Sequence, residues 1–329
     1  MAGMGKRMRP HTLTVPKPLI PIAGKPIVQR LVEDIAKVCQ EPIEEVAFII
    51  GNFGEEVEAR LLKIAESVGA KGSIHYQDEP LGTAHAILCA KDALRGNVVV
   101  AFADTLFKAD FTLDTSAEGT IWVQKVEDPR PFGVVKLNEQ GQITEFVEKP
   151  QDFVSDLAII GIYYFKDGEY LRDELQYLLD HDIKDKGEYQ LTNALENMKS
   201  KGSVFIPGPI SEWLDCGNKD ATVFTNQRYL EYIQDEEGLV SKSAKITNSV
   251  VIPPVYIGEN VVLHNSVVGP HVSIGNNTQV NGSVVSNSIV QENSKINHAH
   301  IANSMLGNFV VYEGIPTDLS LGDYNVLRG

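Results

Sequence analysis

Cysteine is scarce in this chain, positive charge is in deficit, and no long apolar run is present. The three cysteines among 329 residues, Cys39, Cys89 and Cys216, are odd in number, far apart and outside any C-x-x-C pair. That excludes a disulfide framework and a thiolate zinc site, and it predicts free thiols. Lys and Arg number 29 against 44 Asp and Glu, a formal charge of -15. Such a field repels DNA, RNA and anionic membranes, so a general nucleic-acid binder is not expected. No apolar stretch approaches the roughly 18 residues of a membrane helix. The basic N-terminus, broken by Pro10, His11, Pro16 and Lys17, lacks the apolar core of a secretory signal. The expected compartment is therefore a reducing cytoplasm. What is present is an ordinary globular balance, 43% hydrophobic and 22% charged, in a chain long enough for two domains.

Through residue 238, short apolar runs alternate with segments of helical period, the pattern of an α/β domain around a mostly parallel sheet. Ile27, Val28, Leu31, Ile35 and Val38 form one helical stripe, and Val57, Leu61, Ile64, Ala65 and Val68 form another after the Phe48-Ile49-Ile50-Gly51 strand. Val98 to Ala103 reads as a strand buried on both faces that ends at Asp104, where ligands of open α/β sheets collect. Further strands are expected at Thr120–Val126, Gly133–Leu137 and Ile159–Phe165, and helices at Tyr170–Leu179, Tyr189–Met198 and Asn218–Ile233.

After the acidic Asp235-Glu236-Glu237-Gly238 stretch the helical period ends, which predicts domains at 1–238 and 239–329. Apolar residues followed by small or turn-forming ones then recur every five or six positions. Ile257, Ile274, Val290 and Leu306 stand 17, 16 and 16 residues apart, about one triangular coil of a parallel β-helix each. Asn248, Asn265, Asn287 and Asn303 are expected at coil corners. A β-sandwich gives no reason for this pitch.

Chemistry is suggested first by Ala2-Gly3-Met4-Gly5-Lys6-Arg7 and Pro16-Lys17-Pro18-Leu19. Glycines let backbone N–H groups approach phosphate, and Arg and Lys neutralise it. Taken alone this string reads more as a plain turn than as a phosphate cradle, and it matches neither the lysine-bearing phosphate loop nor the dinucleotide fingerprint. Gln77-Asp78-Glu79-Pro80-Leu81-Gly82-Thr83-Ala84-His85-Ala86, Ala103-Asp104, Phe132-Gly133-Val134-Val135, Val147-Glu148-Lys149-Pro150 and Trp213-Leu214-Asp215-Cys216-Gly217 follow in order. Singly, an Asp after a strand reads as a helix cap and Lys149 before Pro150 as a solvated turn residue.

As an ordered set, these motifs resemble the sugar-1-phosphate nucleotidyltransferases over essentially the whole chain, since a left-handed β-helix often follows the catalytic domain in that family. The resemblance implies a Rossmann-like nucleotidyltransferase domain followed by a left-handed parallel β-helix. It implies Mg²⁺-dependent transfer from a nucleoside triphosphate to a sugar-1-phosphate. By similarity, Arg7 and Lys17 hold the triphosphate and leaving pyrophosphate, Lys149 positions the sugar phosphate, and Asp104 and Asp215 hold Mg²⁺. Gly3, Gly5, Gln77 and Gly82 line the nucleotide, and Gly133 and Glu148 contact the sugar. Glu188 matches a segment near the sugar, with a helix-start role as the alternative. The family has Thr where this chain has Lys6, Gly where it has Met4, and Gly where it has Ala103. It also enters the glycine loop from a buried strand, so the natural chain is expected to begin upstream of Met1.

The Gln77 to Ala86 stretch looks closest to thymidylyl- and uridylyltransferases, which favours dTTP or UTP with glucose-1-phosphate. Guanylyl transfer to mannose-1-phosphate is the alternative. Two further readings are a bifunctional enzyme using His298 or His300 for acyl transfer, and an inactive regulatory subunit. Coils of this kind more often supply an oligomer contact than chemistry, so a homo-oligomer is expected.

Overall fold

The computed structural model describes residues 5–208, 210–315, 317–321 and 324. The chain divides into two compact units, Met1–Ile20 with Lys25–Thr222, and Pro21–Gly24 with Val223–Gly329.

In the first unit, the stripe after Pro26 forms α1 (Ile27–Val38), whose buried residues include Ile27, Val28, Leu31 and Val38. β1 (Glu45–Ile50) leads into α2 (Glu55–Ser67), which starts after Gly54 with Glu55, Glu56 and Glu58 in its first turn. Carboxylates there complement the helix dipole. The following β2 (Lys71–Tyr76) pairs parallel with β1 from Glu45↔Lys71 to Ile50↔Tyr76, a βαβ unit.

The chain continues through α3 (Thr83–Leu88), β3 (Val98–Ala101), β4 (Thr105–Phe107), β5 (Gly119–Lys125), β6 (Gly133–Leu137), β7 (Ile143–Glu148) and β8 (Leu157–Phe165). Next come α4 (Gly168–Asp180), α5 (Leu191–Ser200), β9 (Phe205–Gly208), β10 (Trp213–Asp215) and α6 (Lys219–Ile233), which from Val223 onward is counted in the second unit. A six-stranded sheet has the order β9-β5-β8-β6-β7, with β3 also on β8. Strands β3, β5, β6 and β9 point one way, and β8 and β7 run against them. The long β8 is buried along nearly its whole length, as its Ala-Ile-Ile-Gly-Ile-Tyr-Tyr-Phe sequence requires. At Gly161 (φ 87°) its register to β5 shifts. A Cβ there would lie 3.1 Å from the Phe102 ring, so the bulge makes room for the residue that leads to Asp104. The core beneath is aromatic: Phe205 meets Phe146 and Phe165 edge-on.

One expectation needs correction. The strand read as Val98 to Ala103 ends at Ala101 and is only half-buried. Its edge away from β8 has no strand partner among the described residues, nor has the edge of β1 away from β2. Between them lies a cavity of about 650 Å³ lined by Val28, Leu31, Phe48, Val100 and Tyr164 among others.

In the second unit the chain winds as a parallel β-helix of three sheets, with strands stacked coil on coil. Ile257, Ile274, Val290 and Leu306 occupy one column in direct register, as their spacing predicts. The corners are left-handed and fall in three columns. Asn248, Asn265, Gly282 and His298 make one, His271, Asn287 and Asn303 a second, and Asn260, Asn277, Asn293 and Phe309 a third, all at positive φ. The four asparagines expected at corners therefore belong to two different columns. Asn tolerates this backbone best after Gly, and here it also bonds from coil to coil: Asn260 to Asn277 at 3.2 Å and Asn277 to Asn293 at 3.3 Å. Cys39, Cys89 and Cys216 are free thiols, and burial raises the pKa of Cys39.

Candidate active site

Strands β4 and β10 form a two-stranded antiparallel ribbon in which Asp215 pairs with Thr105, the neighbour of Asp104. The Asp104 carbonyl accepts the Cys216 N–H at 2.9 Å. Two carboxylates separated by most of the chain thus meet at one end of the ribbon. Lys17, in the turn Lys17–Leu19, extends its ammonium to 2.9 Å from Asp104 Oδ2 and is largely buried. Burial, and then the charge of Asp104, push the Asp215 carboxyl above its ordinary range; Lys17, the Gly217 N–H and Arg7 act in the opposite sense. Arg7, Lys17, Asp104 and Asp215 therefore share one electrostatic neighbourhood. The donors are all oxygen, with no imidazole or thiolate, which suits a hard cation such as Mg²⁺ completed by phosphate oxygens and water. Among the described residues no group of three or more His, Cys, Asp and Glu gathers to hold a metal.

Glycines shape this corner. Gly5 is left-handed (φ 55°), and its carbonyl accepts the Thr12 hydroxyl at 2.9 Å. Gly217 donates its N–H to Asp215 Oδ1, and a Cβ on it would lie 2.9 Å from both carboxylate oxygens. Gly3 lies outside the described residues.

Gln77 and Gly82 come together before α3. The Gln77 amide nitrogen donates to the Gly82 carbonyl at 3.0 Å and lies 3.1 Å from His85 Nδ1. A carbonyl can only accept, so this bond fixes which way the amide points. Both of these contacts are made by the amide nitrogen, not by the carbonyl oxygen. Gly82 has φ 115°, and a Cβ there would lie 2.4 Å from the Tyr189 carbonyl oxygen; only glycine permits so close an approach.

Gly133 pairs with Glu148 across β6 and β7. Glu148 accepts from the Thr192 hydroxyl at 3.3 Å and meets the Lys149 ammonium at 3.3 Å. The Lys149 N–H donates to the Phe132 carbonyl, the Phe132 ring stands edge-on to Trp213 at 5.0 Å, and the Trp213 indole N–H donates to the Thr105 hydroxyl at 2.6 Å. One chain of contacts thus links Lys149 to the aspartate ribbon. Glu188 does not start the next helix: α5 begins at Leu191, whose N–H is taken by the Thr83 hydroxyl, while Glu188 accepts from the Gln190 amide. Thr12, Thr83, Thr192 and Trp213 are contributors that spacing alone does not single out, because each acts by tertiary contact.

Residues 1–231 match the family model described as nucleotidyl transferase. The low-salt glycan biosynthesis nucleotidyltransferase of Haloferax volcanii is 31% identical over 75% of this chain and 70% of its own. The mannose-1-phosphate guanylyltransferase catalytic subunit beta of Danio rerio is 30% identical over 79% and 72%. The bifunctional protein GlmU of Methanococcus vannielii is 30% identical over 76% of this chain, which spans 59% of that relative's length. Two solved structures share the fold at a TM-score of 0.57. They are a UDP-glucose pyrophosphorylase bound to UDP-glucose, 23% identical over 70% of this chain and 96% of its own, and a putative glucose-1-phosphate thymidylyltransferase from Bacillus anthracis, 24% identical over 68% and 91%. The ordered motifs, the aspartate ribbon and these likenesses agree: the chain belongs to the nucleotidyl transferase family, that of the sugar-1-phosphate nucleotidyltransferases.

Proposed function

We propose that this chain transfers a nucleotidyl group from dTTP or UTP to glucose-1-phosphate, with Mg²⁺, giving a nucleotide sugar and pyrophosphate. The observation that carries the reading is the meeting of Asp104 and Asp215 across the β4–β10 ribbon with the Lys17 ammonium 2.9 Å from Asp104. A phosphate oxygen of the sugar attacks the α-phosphorus, the bond from that phosphorus to the bridging oxygen breaks, and pyrophosphate departs with the electron pair. The nucleophile is already an anion, so no general base is required. Arg7 and Lys17 neutralise the triphosphate and the leaving group, which requires Lys17 to pass from Asp104 to phosphate when substrate arrives. Lys149 orients the sugar phosphate, and Gly133 and Glu148 face the sugar hydroxyls. Mg²⁺ held by Asp104 and Asp215 supplies charge stabilisation at the reacting phosphoryl group.

The base preference rests on Gln77. With its nitrogen committed to Gly82, its oxygen accepts from an imide N–H, which thymine and uracil carry and adenine lacks. Guanine also presents a ring N–H, so guanylyl transfer to mannose-1-phosphate is the second reading, favoured by the likeness to the Danio rerio relative. Nucleotidyl transfer is assigned to residues 1–238 and assembly to 239–329. His298 and His300 stand exposed on the coils, which favours a surface role over acyl transfer.

Pyrophosphate release with dTTP, UTP, GTP, CTP and ATP against glucose-1-phosphate and mannose-1-phosphate tests the proposal. Turnover is expected with a base that carries a ring N–H; activity with ATP alone, or none with any pair, would refute it.

A further inference from the structure

Two non-glycine residues near the site hold left-handed backbone, and they are bonded to each other. Lys149 has φ 42° and Lys186 has φ 51°. Neither is a residue that favours this region, and Lys149 also precedes Pro150, which narrows its options further. Strain of this kind persists only where its surroundings hold it. Lys186 and Gly187 (φ 84°) form the tip of a two-residue turn closed by reciprocal backbone bonds between Asp185 and Glu188, at 2.9 and 3.0 Å. Positive φ at both central positions marks a turn that ordinarily takes Asn-Gly, and here a lysine replaces the Asn. Its ammonium donates to the carbonyls of Glu148 at 3.2 Å and Lys149 at 3.0 Å. In extended backbone successive carbonyls point to opposite sides. A left-handed turn at Lys149 brings the two to one side, where a single ammonium can take both.

We propose that Lys186 is a positioning residue, a clamp that holds the Glu148–Lys149 backbone in its left-handed turn and so fixes where the Lys149 ammonium points. The proposal rests on the reading above in which Lys149 orients the sugar phosphate. Lys186 acts through Lys149 and not on substrate. The Thr192–Glu148 bond and the Lys149 N–H bond to Phe132 anchor the same two residues from their other sides, leaving the clamp to set the carbonyl side.

The test compares K186A, K186R, K149A and K149A/K186A in the full chain. It uses steady-state pyrophosphate release and, without substrate, amide hydrogen exchange at Lys149. K186A is expected to lower kcat/KM for the sugar phosphate about 10- to 100-fold, the cost of a misplaced group. KM for the nucleoside triphosphate should stay unchanged, and Lys149 exchange should accelerate. The double variant should lose no more than K149A alone, and K186R, whose guanidinium also spans two acceptors, should retain most activity. Multiplying losses in the double variant would overturn the clamp and put Lys186 on substrate; so would unchanged Lys149 exchange in K186A. K149A at full turnover would instead remove Lys149 from the sugar-phosphate role, while the exchange measurement, which needs no substrate, still decides the clamp.

Discussion

Asp215 shows how a single side chain reports its task. Burial and a second carboxylate nearby raise its carboxyl, and the charges of Lys17 and Arg7 oppose that shift, so the pair of aspartates favours added positive charge. Replacing Asp104 or Asp215 by Asn keeps size and removes that demand. D104N and D215N are each expected to lower kcat by about 10²- to 10³-fold with the fold intact, the scale of losing one preorganised charge-stabilising group, as read by pyrophosphate release at saturating Mg²⁺. Gly217 offers a subtler probe. Because its Cβ would sit 2.9 Å from both Asp215 oxygens, G217A should displace the carboxylate and cut turnover with little change in melting temperature. Gly82 behaves differently, since its missing Cβ faces the Tyr189 backbone, which cannot swing aside. G82A is expected to cost about 1–3 kcal/mol of stability, measurable by urea denaturation, together with weaker nucleotide binding.

Elements carry the next level of constraint. The β4–β10 ribbon is only three residues long on each side, yet its register determines that Asp104 and Asp215 face the same place. Strands β1 and β3 show the reverse situation, each with an edge that has no strand partner among the described residues and that fronts a shared cavity. Backbone groups without a partner exchange readily, so the amides of Glu45–Ile50 and Val98–Ala101 that face the cavity should exchange much faster than those in the middle of β8. Hydrogen-exchange mass spectrometry resolves the two sets, and equal protection would contradict the open edges. In the β-helix, the Asn260–Asn277–Asn293 column combines left-handed backbone with coil-to-coil bonds. N277A loses both and should cost about 1–2 kcal/mol, whereas N277G keeps the backbone and should recover part of it, as followed by thermal melting.

At the scale of the whole molecule, the exposed end of the β-helix bears on assembly. The last coil strand among the described residues, Val311–Glu313, is exposed along its length, and Phe309 and Val311 are 75% and 71% exposed. An apolar coil end of this kind calls for cover, so light scattering on the full chain is expected to give a mass above that of one copy. Much of the architecture was legible in advance because its signals are local. The stripe from Ile27 to Val38 needs only the helical repeat, and the column Ile257, Ile274, Val290 and Leu306 needs only a pitch that recurs along the chain. Left-handed corners were partly legible through asparagine, but which asparagines share a column depends on coil lengths of 17 or 16 residues, and that placed Asn265 and Asn287 apart. The site was legible as an ordered list of motifs and not as a geometry. Lys17 and Asp104 are 87 residues apart and Thr105 and Trp213 are 108 apart, so no periodicity joins them. Lys186 escaped for the same reason, since its partners are backbone carbonyls that any sequence carries. The sequence alone determined the fold class, the coil pitch and the residue types able to handle phosphate. Only tertiary structure decided which of them meet, how the Gln77 amide is turned, and where backbone strain is held, because those depend on distances that close when remote strands pair.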